Sequence, residues 1–135
     1  MPVVASFVVT QTLLMKALKI TYWITTSLLC LMMAFSAYSY LTNPAMVAGF
    51  QHLGYPDYFR VELAVAKILG LLVLIIPQVG PRAKEWAYAG FTIVFISAFI
   101  AHSASGDPVA NRVSTLVALA LLLVSYFIYH KLRKA

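Results

Sequence analysis

The sequence predicts an all-α integral membrane fold: a four-helix bundle with a short interfacial helix between spans one and two, and both termini in the cytoplasm. Three observations predict it. Hydrophobic residues make up 62% of the chain and charged residues only 10%, with a mean hydropathy of +0.88, more apolar surface than a soluble core of this size needs. The chain also divides into four apolar stretches of span length. A span takes about 20 residues, because a helix rises about 1.5 Å per residue across a hydrocarbon core of about 30 Å. The 135 residues therefore hold four spans and leave no room for a second folded domain. Finally, Lys16, Lys19, Arg82, Lys84, Lys131, Arg133 and Lys134 fall on one side of that arrangement, and only Arg60 and Arg112 fall on the other. The crowded side is expected to be cytoplasmic.

Span one is expected over residues 20–41, after Lys16 and Lys19 and before the helix-ending pair Asn43-Pro44, with Tyr22, Trp23, Tyr38 and Tyr40 as aromatic anchors at its ends. Span two is expected from Tyr58 or Arg60 to Pro77. The tight connection through Val79, Gly80 and Pro81 then makes spans two and three antiparallel neighbours. Span three is expected from between Lys84 and Trp86 to Ala104, where Ser105, Gly106, Asp107 and Pro108 break the pattern. Span four is expected from Val109 or Arg112 to Tyr129, followed by a basic tail. Residues 1–19 form an N-terminal extension to a single domain over 20–135. Val3, Val4, Phe7, Val8 and Val9 are too short a run to cross a bilayer, and they either extend helix one or lie on the membrane surface. The extension lacks the order of a cleaved signal peptide, since its lysines follow the apolar stretch.

Between spans one and two, Met46, Val47, Phe50 and Leu53 recur at helical spacing, with Gly54 as a C-terminal stop. The segment reads as a helix in the outer interface, an amphipathic connector in preference to a lid over a cavity. Ala66 and Gly70 on span two, and Gly90, Ser97 and Ala101 on span three, are small residues that let helices approach closely. Met32, Met33, Phe35, Phe91, Phe95 and Phe99 read mainly as packing or lipid-facing groups.

The charge of +6 does not point to nucleic acid, because the cations form no continuous stripe and sit in small groups between apolar runs, which suits topology and anionic lipid. The single cysteine, Cys30, makes no intramolecular disulfide, so any redox role borrows its chemistry from a cofactor or a partner.

The informative residues are those that are costly in lipid. Lys67 sits near the middle of span two, where a lysine costs about 2.5–3.5 kcal/mol on insertion scales. It either faces an internal cavity and holds an anionic or carbonyl group of a ligand, or exchanges protons, or serves structurally by snorkelling or pairing. Glu62 is about 140° around the helix from Lys67, so it is expected to look toward His102 or Arg112 instead. Glu62, His102 and Asp107 are the candidate acid–base groups, and Lys67, Arg112, Asn111, His52, Arg60 and Asp57 the candidate ligand-binding groups. No pair shows a spacing such as HxxxH or ExxH, so no metal site is expected. Asp107-Pro108 reads as an N-cap with proline at the first helical position, and Asp57 as a cap on span two.

The stretch KITYWITT into span one, the connection HLGYPDYF, ELAVAKILG of span two ending in IIP, and EWAYAGF opening span three together resemble the DoxX-like family, from Met15 to the C-terminus. The resemblance implies a small membrane protein of four helices. Its family name derives from a subunit of a thiosulfate:quinone oxidoreductase, and other members look like membrane partners of redox or detoxification proteins. Three functional classes follow. The first is a membrane subunit of a redox or stress-response system whose pocket takes a quinone or other lipophilic molecule alongside a redox partner protein. The second is a membrane enzyme using acid–base chemistry on a lipophilic molecule, by isomerisation, cyclisation or epoxide opening. The third is a non-catalytic binding or scaffold protein, and a homodimer is compatible with all three.

Overall fold

The computed structural model describes residues 2–134, all of whose regular structure is helical: α1 (Pro2–Thr42), α2 (Pro44–His52), α3 (Asp57–Ile75), α4 (Pro81–Ala104) and α5 (Val109–Lys134). The four long helices pack in the cyclic order α1, α3, α4, α5, while α2 lies across one end against α1 and α3. Helices α1, α4 and α5 are long and apolar enough to cross a membrane. Helix α3 has the length but carries Asp57, Arg60, Glu62 and Lys67 within its 19 residues, and that charge separates it from the other three.

The expected spans meet real helices, which extend past the expected bounds in α1, in α5 and at the start of α4, at Pro81. Helix α1 is continuous from Pro2, so the residues before position 15 extend helix one. Its 41 residues amount to about 60 Å, twice a bilayer core, and its first buried residue is Tyr22. Helix α5 continues past Tyr129 to Lys134.

Local chemistry sets the breaks. Asn43 caps α2 by accepting from Ala45 N at 3.0 Å, with Pro44 in the first turn. Both positive-φ glycines end helices in the Schellman arrangement. At Gly54 (φ 86°), Tyr55 N donates to Phe50 O and Gly54 N to Gln51 O. At Gly106 (φ 69°), Asp107 N donates to His102 O and Gly106 N to Ser103 O.

The core is made by Leu29, Cys30 and Met33 of α1, Leu74 of α3, Tyr88, Phe91 and Phe95 of α4, and Ala118 and Leu122 of α5. In lipid the hydrophobic effect does not drive helices together, so close packing and buried hydrogen bonds must. Gly70 supplies the packing, since a Cβ there would lie 2.6 Å from the Phe91 ring. Its expected partner Ala66 is exposed, and Gly90 and Ser97 are exposed as well. The hydrogen bonds centre on Ser125, whose Oγ meets Thr26 Oγ1 and Tyr88 OH at 2.7 Å each, joining α1, α4 and α5.

The end of the bundle opposite α2 is sealed by Lys84, which is only 4% exposed. Its ammonium donates to the carbonyls of Val73 (2.8 Å), Leu74 (3.2 Å) and Ile76 (3.0 Å) at the C-terminus of α3. A cation there meets both the orphan carbonyls and the negative end of the helix dipole. Glu85 completes this end by pairing with His130 and accepting from Tyr126 OH.

Candidate functional site

At the α2 end the four long helices do not close on one another. They leave between them a half-open cavity of about 700 Å³, roofed by Met46, Gly49, Phe50 and His52 of α2. The walls follow helical spacing: Met33, Ser36 and Tyr40 on α1, Phe59, Leu63 and Lys67 on α3, Val94, Ala98, Ala101 and His102 on α4, and Asn111, Ser114, Thr115 and Ala118 on α5. Met32, Met33 and Phe95, expected mainly to pack or face lipid, thus line the cavity, and α2 is its roof as well as a connector.

Lys67 forms the polar floor of the wall on α3 and is only 5% exposed. Its Nζ donates to Ser36 Oγ and Tyr40 OH, each at 2.7 Å, and lies 4.0 Å from the centroid of the Tyr40 ring. Tyr40 is fixed in turn, its ring edge-on to Phe50 and its carbonyl accepting from Arg60 Nη1. Among the described residues no carboxylate pairs with Lys67.

The second polar cluster sits at the mouth. Closing α4 on Gly106 places the Asp107 amide on the His102 carbonyl, and the Asp107 carboxylate then reaches His102 Nδ1 at 2.6 Å. Its other oxygen meets His52 Nε2 of the roof helix at 2.7 Å. One carboxylate therefore clasps α2 to the α4–α5 connection. The hydrogen bond to His102, then that to His52, holds the Asp107 carboxyl below the usual carboxylate range. Among the described residues no group of three or more His, Cys, Asp or Glu side chains is arranged to hold a metal ion.

The predicted site residues divide cleanly. Lys67, His52, His102, Asp107 and Asn111 line the cavity. Glu62 does not: it is exposed and meets neither His102 nor Arg112. The wall of α3 is the face of Phe59, Leu63 and Lys67, and Glu62 lies about 100° away from Leu63. Arg60 stands behind the wall, on Tyr40 and on Asp57 at 3.4 Å. Arg112 donates to the Asp107 carbonyl at 3.3 Å. Both capping expectations are corrected. Asp57 is the first residue of α3, whose N-cap is Pro56, and the Asp107 carboxylate is spent on two histidines. Ser36 and Tyr40 were missed, although their spacing of four places both on one face of span one. Lys84 was read only as a topology marker.

A protein built of apolar helices of span length around an internal pocket is a helical membrane protein. This chain belongs to the DoxX-like family, whose model matches residues 24–125 and so takes in every residue of the cavity wall. No curated protein and no solved structure matches the chain.

Proposed function

We propose that the chain is a membrane subunit of a redox or stress-response system that binds a quinone or other lipophilic small molecule in the cavity beneath α2. On this reading α1, α3, α4 and α5 all cross the bilayer of a bacterial inner membrane, α2 lies in the outer interface, and the lysine-rich end with both termini is cytoplasmic. The supporting observation is the cavity itself. Its volume of about 700 Å³ suits a small-molecule ligand, and its lining follows the usual plan of an apolar wall with a few convergent polar groups. Opening near the outer interface, it is reached by molecules that partition into lipid.

The test is native mass spectrometry of protein extracted gently with its lipids. Wild type is expected to carry a discrete small molecule. Ala98→Phe, which fills the cavity, is expected to lose it, while Glu62→Ala, outside the wall, keeps it. A folded Ala98→Phe protein with unchanged small-molecule content counts against the reading.

One observation favours a second reading, acid–base catalysis on the bound molecule. With Nδ1 of His102 donating to Asp107, its Nε2 is left as an acceptor on a residue of the cavity wall. Such a pair suits isomerisation, cyclisation or epoxide opening, and turnover by the purified protein alone distinguishes this reading from the first.

A further inference from the structure

The two buried lysines differ in how their ammonium groups are satisfied. Lys84 directs its three N–H donors at three carbonyls on a helix C-terminus, so both its hydrogen bonds and its charge are met. Lys67 has two partners, and both are neutral hydroxyls. A buried cation calls for an anion or a field that replaces one, because desolvating it without compensation is costly. The face of Tyr40 contributes part of that compensation.

The hydroxyls carry the argument further. Each of Ser36 and Tyr40 accepts from Nζ through a lone pair, which leaves its own O–H to donate elsewhere. Both side chains line the cavity with Lys67. The floor therefore presents one remaining N⁺–H and two O–H groups, all donors, with a single positive charge. That set complements a group with two acceptor oxygens and one negative charge. A quinone carbonyl accepts the same hydrogen bonds but leaves the charge unbalanced, and a phosphate dianion brings one charge too many. Above the floor the wall is Met32, Met33, Leu63, Phe95, Ala98 and Ala118, which takes an apolar body.

From this we infer that the cavity takes a lipophilic monoanion of the carboxylate class, its head held by Lys67, Ser36 and Tyr40 and its apolar body beneath α2. The inference rests on the proposed binding function and narrows its ligand from lipophiles in general to lipophilic acids.

The experiment uses the full-length purified protein in detergent and three probes of similar length: dodecanoate, methyl dodecanoate and decylubiquinone, each titrated at equal concentration and read by native mass spectrometry. On wild type, dodecanoate is expected to bind at least about tenfold more tightly than its methyl ester, the scale of a lost charge-assisted contact. This contrast needs no variant. Lys67→Met is expected to lower dodecanoate affinity by at least about tenfold, and Tyr40→Phe, which keeps the cation but removes one donor, by a smaller factor. Ester binding equal to acid binding overturns the inference, and so does acid binding unchanged in Lys67→Met. Decylubiquinone bound in a Lys67-dependent way with no binding of the acid overturns it while leaving the broader lipophile reading standing. Binding of none of the three overturns both.

Discussion

Lys84 and Lys67 lie on neighbouring helices, are almost equally buried, and mark two ends of the molecule with opposite construction. Around Lys84 three carbonyls take its three donors, Glu85 is paired with His130, and Ser125 joins Thr26 and Tyr88. Around Lys67 the helices part, the partners are hydroxyls, and a cavity remains. The fully bonded ammonium thus lies at one end of this small membrane protein and the proposed ligand cavity at the other. The family match takes in both lysines.

The largest effect is expected at the sealed end. Lys84→Met leaves three carbonyls at the end of α3 without their donor, and the expected loss of stability is about 3 kcal/mol in reversible unfolding from detergent. Ser125→Ala removes the hydroxyl shared by Thr26 and Tyr88 and is expected to cost about 1–2 kcal/mol, since interhelical hydrogen bonds in membranes are individually modest. Gly70→Ala gains up to about 1 kcal/mol of helix propensity but drives a methyl into the buried Phe91 ring, an overpacking cost of about 1–3 kcal/mol. The net is a loss of about 1 kcal/mol, relieved in the double variant with Phe91→Leu. A Gly70→Ala protein as stable as wild type shows that the α3–α4 contact is looser than described.

The smallest effect is expected at the open end and depends on pH. Asp107 faces His102 from α4 and His52 from α2, while its carbonyl accepts from Arg112. Its carboxyl is held low in the folded protein, so its contribution is complete above the unfolded value of about 4 and is lost as pH falls through the lower folded value. The clasp on α2 is therefore expected to hold from neutral pH to about 4 and to loosen below it. Spin labels at Gln51→Cys and Ser103→Cys in a Cys30→Ser background report the distance directly. A distribution that broadens as the Asp107 carboxyl protonates in acid supports the clasp, and one that stays unchanged through that protonation contradicts it.

Much of the architecture was legible in the sequence because its punctuation is local. Asn43-Pro44, Gly54, Gly80-Pro81 and Gly106 act within one turn of chain, and each helix break falls there. The faces of the helices were much less legible. When a helix is apolar all round, its pattern does not separate lipid from neighbour or cavity, so Met33 and Phe35 look alike in sequence although one is buried and the other exposed. The same ambiguity affected the site. Lys67, His102 and His52 stood out as costly or titratable groups, but Glu62 stood out equally and faces outward. Asp107 was recognised but read as a helix cap, because only the folded chain brings α2 over the α4–α5 connection. Lys84 was hidden by its position in a basic cluster, where topology accounts for a lysine without asking what it touches.

On the proposed reading, Lys84 holds the fold and Lys67 holds a ligand. Unfolding of wild type, Lys84→Met and Lys67→Met side by side in the same ligand-free detergent tests it directly. Lys84→Met is expected to lose about 3 kcal/mol while Lys67→Met stays within about 1 kcal/mol of wild type or gains, because an apolar side chain of similar length replaces a buried cation that lacks an anion. A Lys67→Met protein that loses as much stability as Lys84→Met would show that Lys67 is a second structural clamp and would contradict the account.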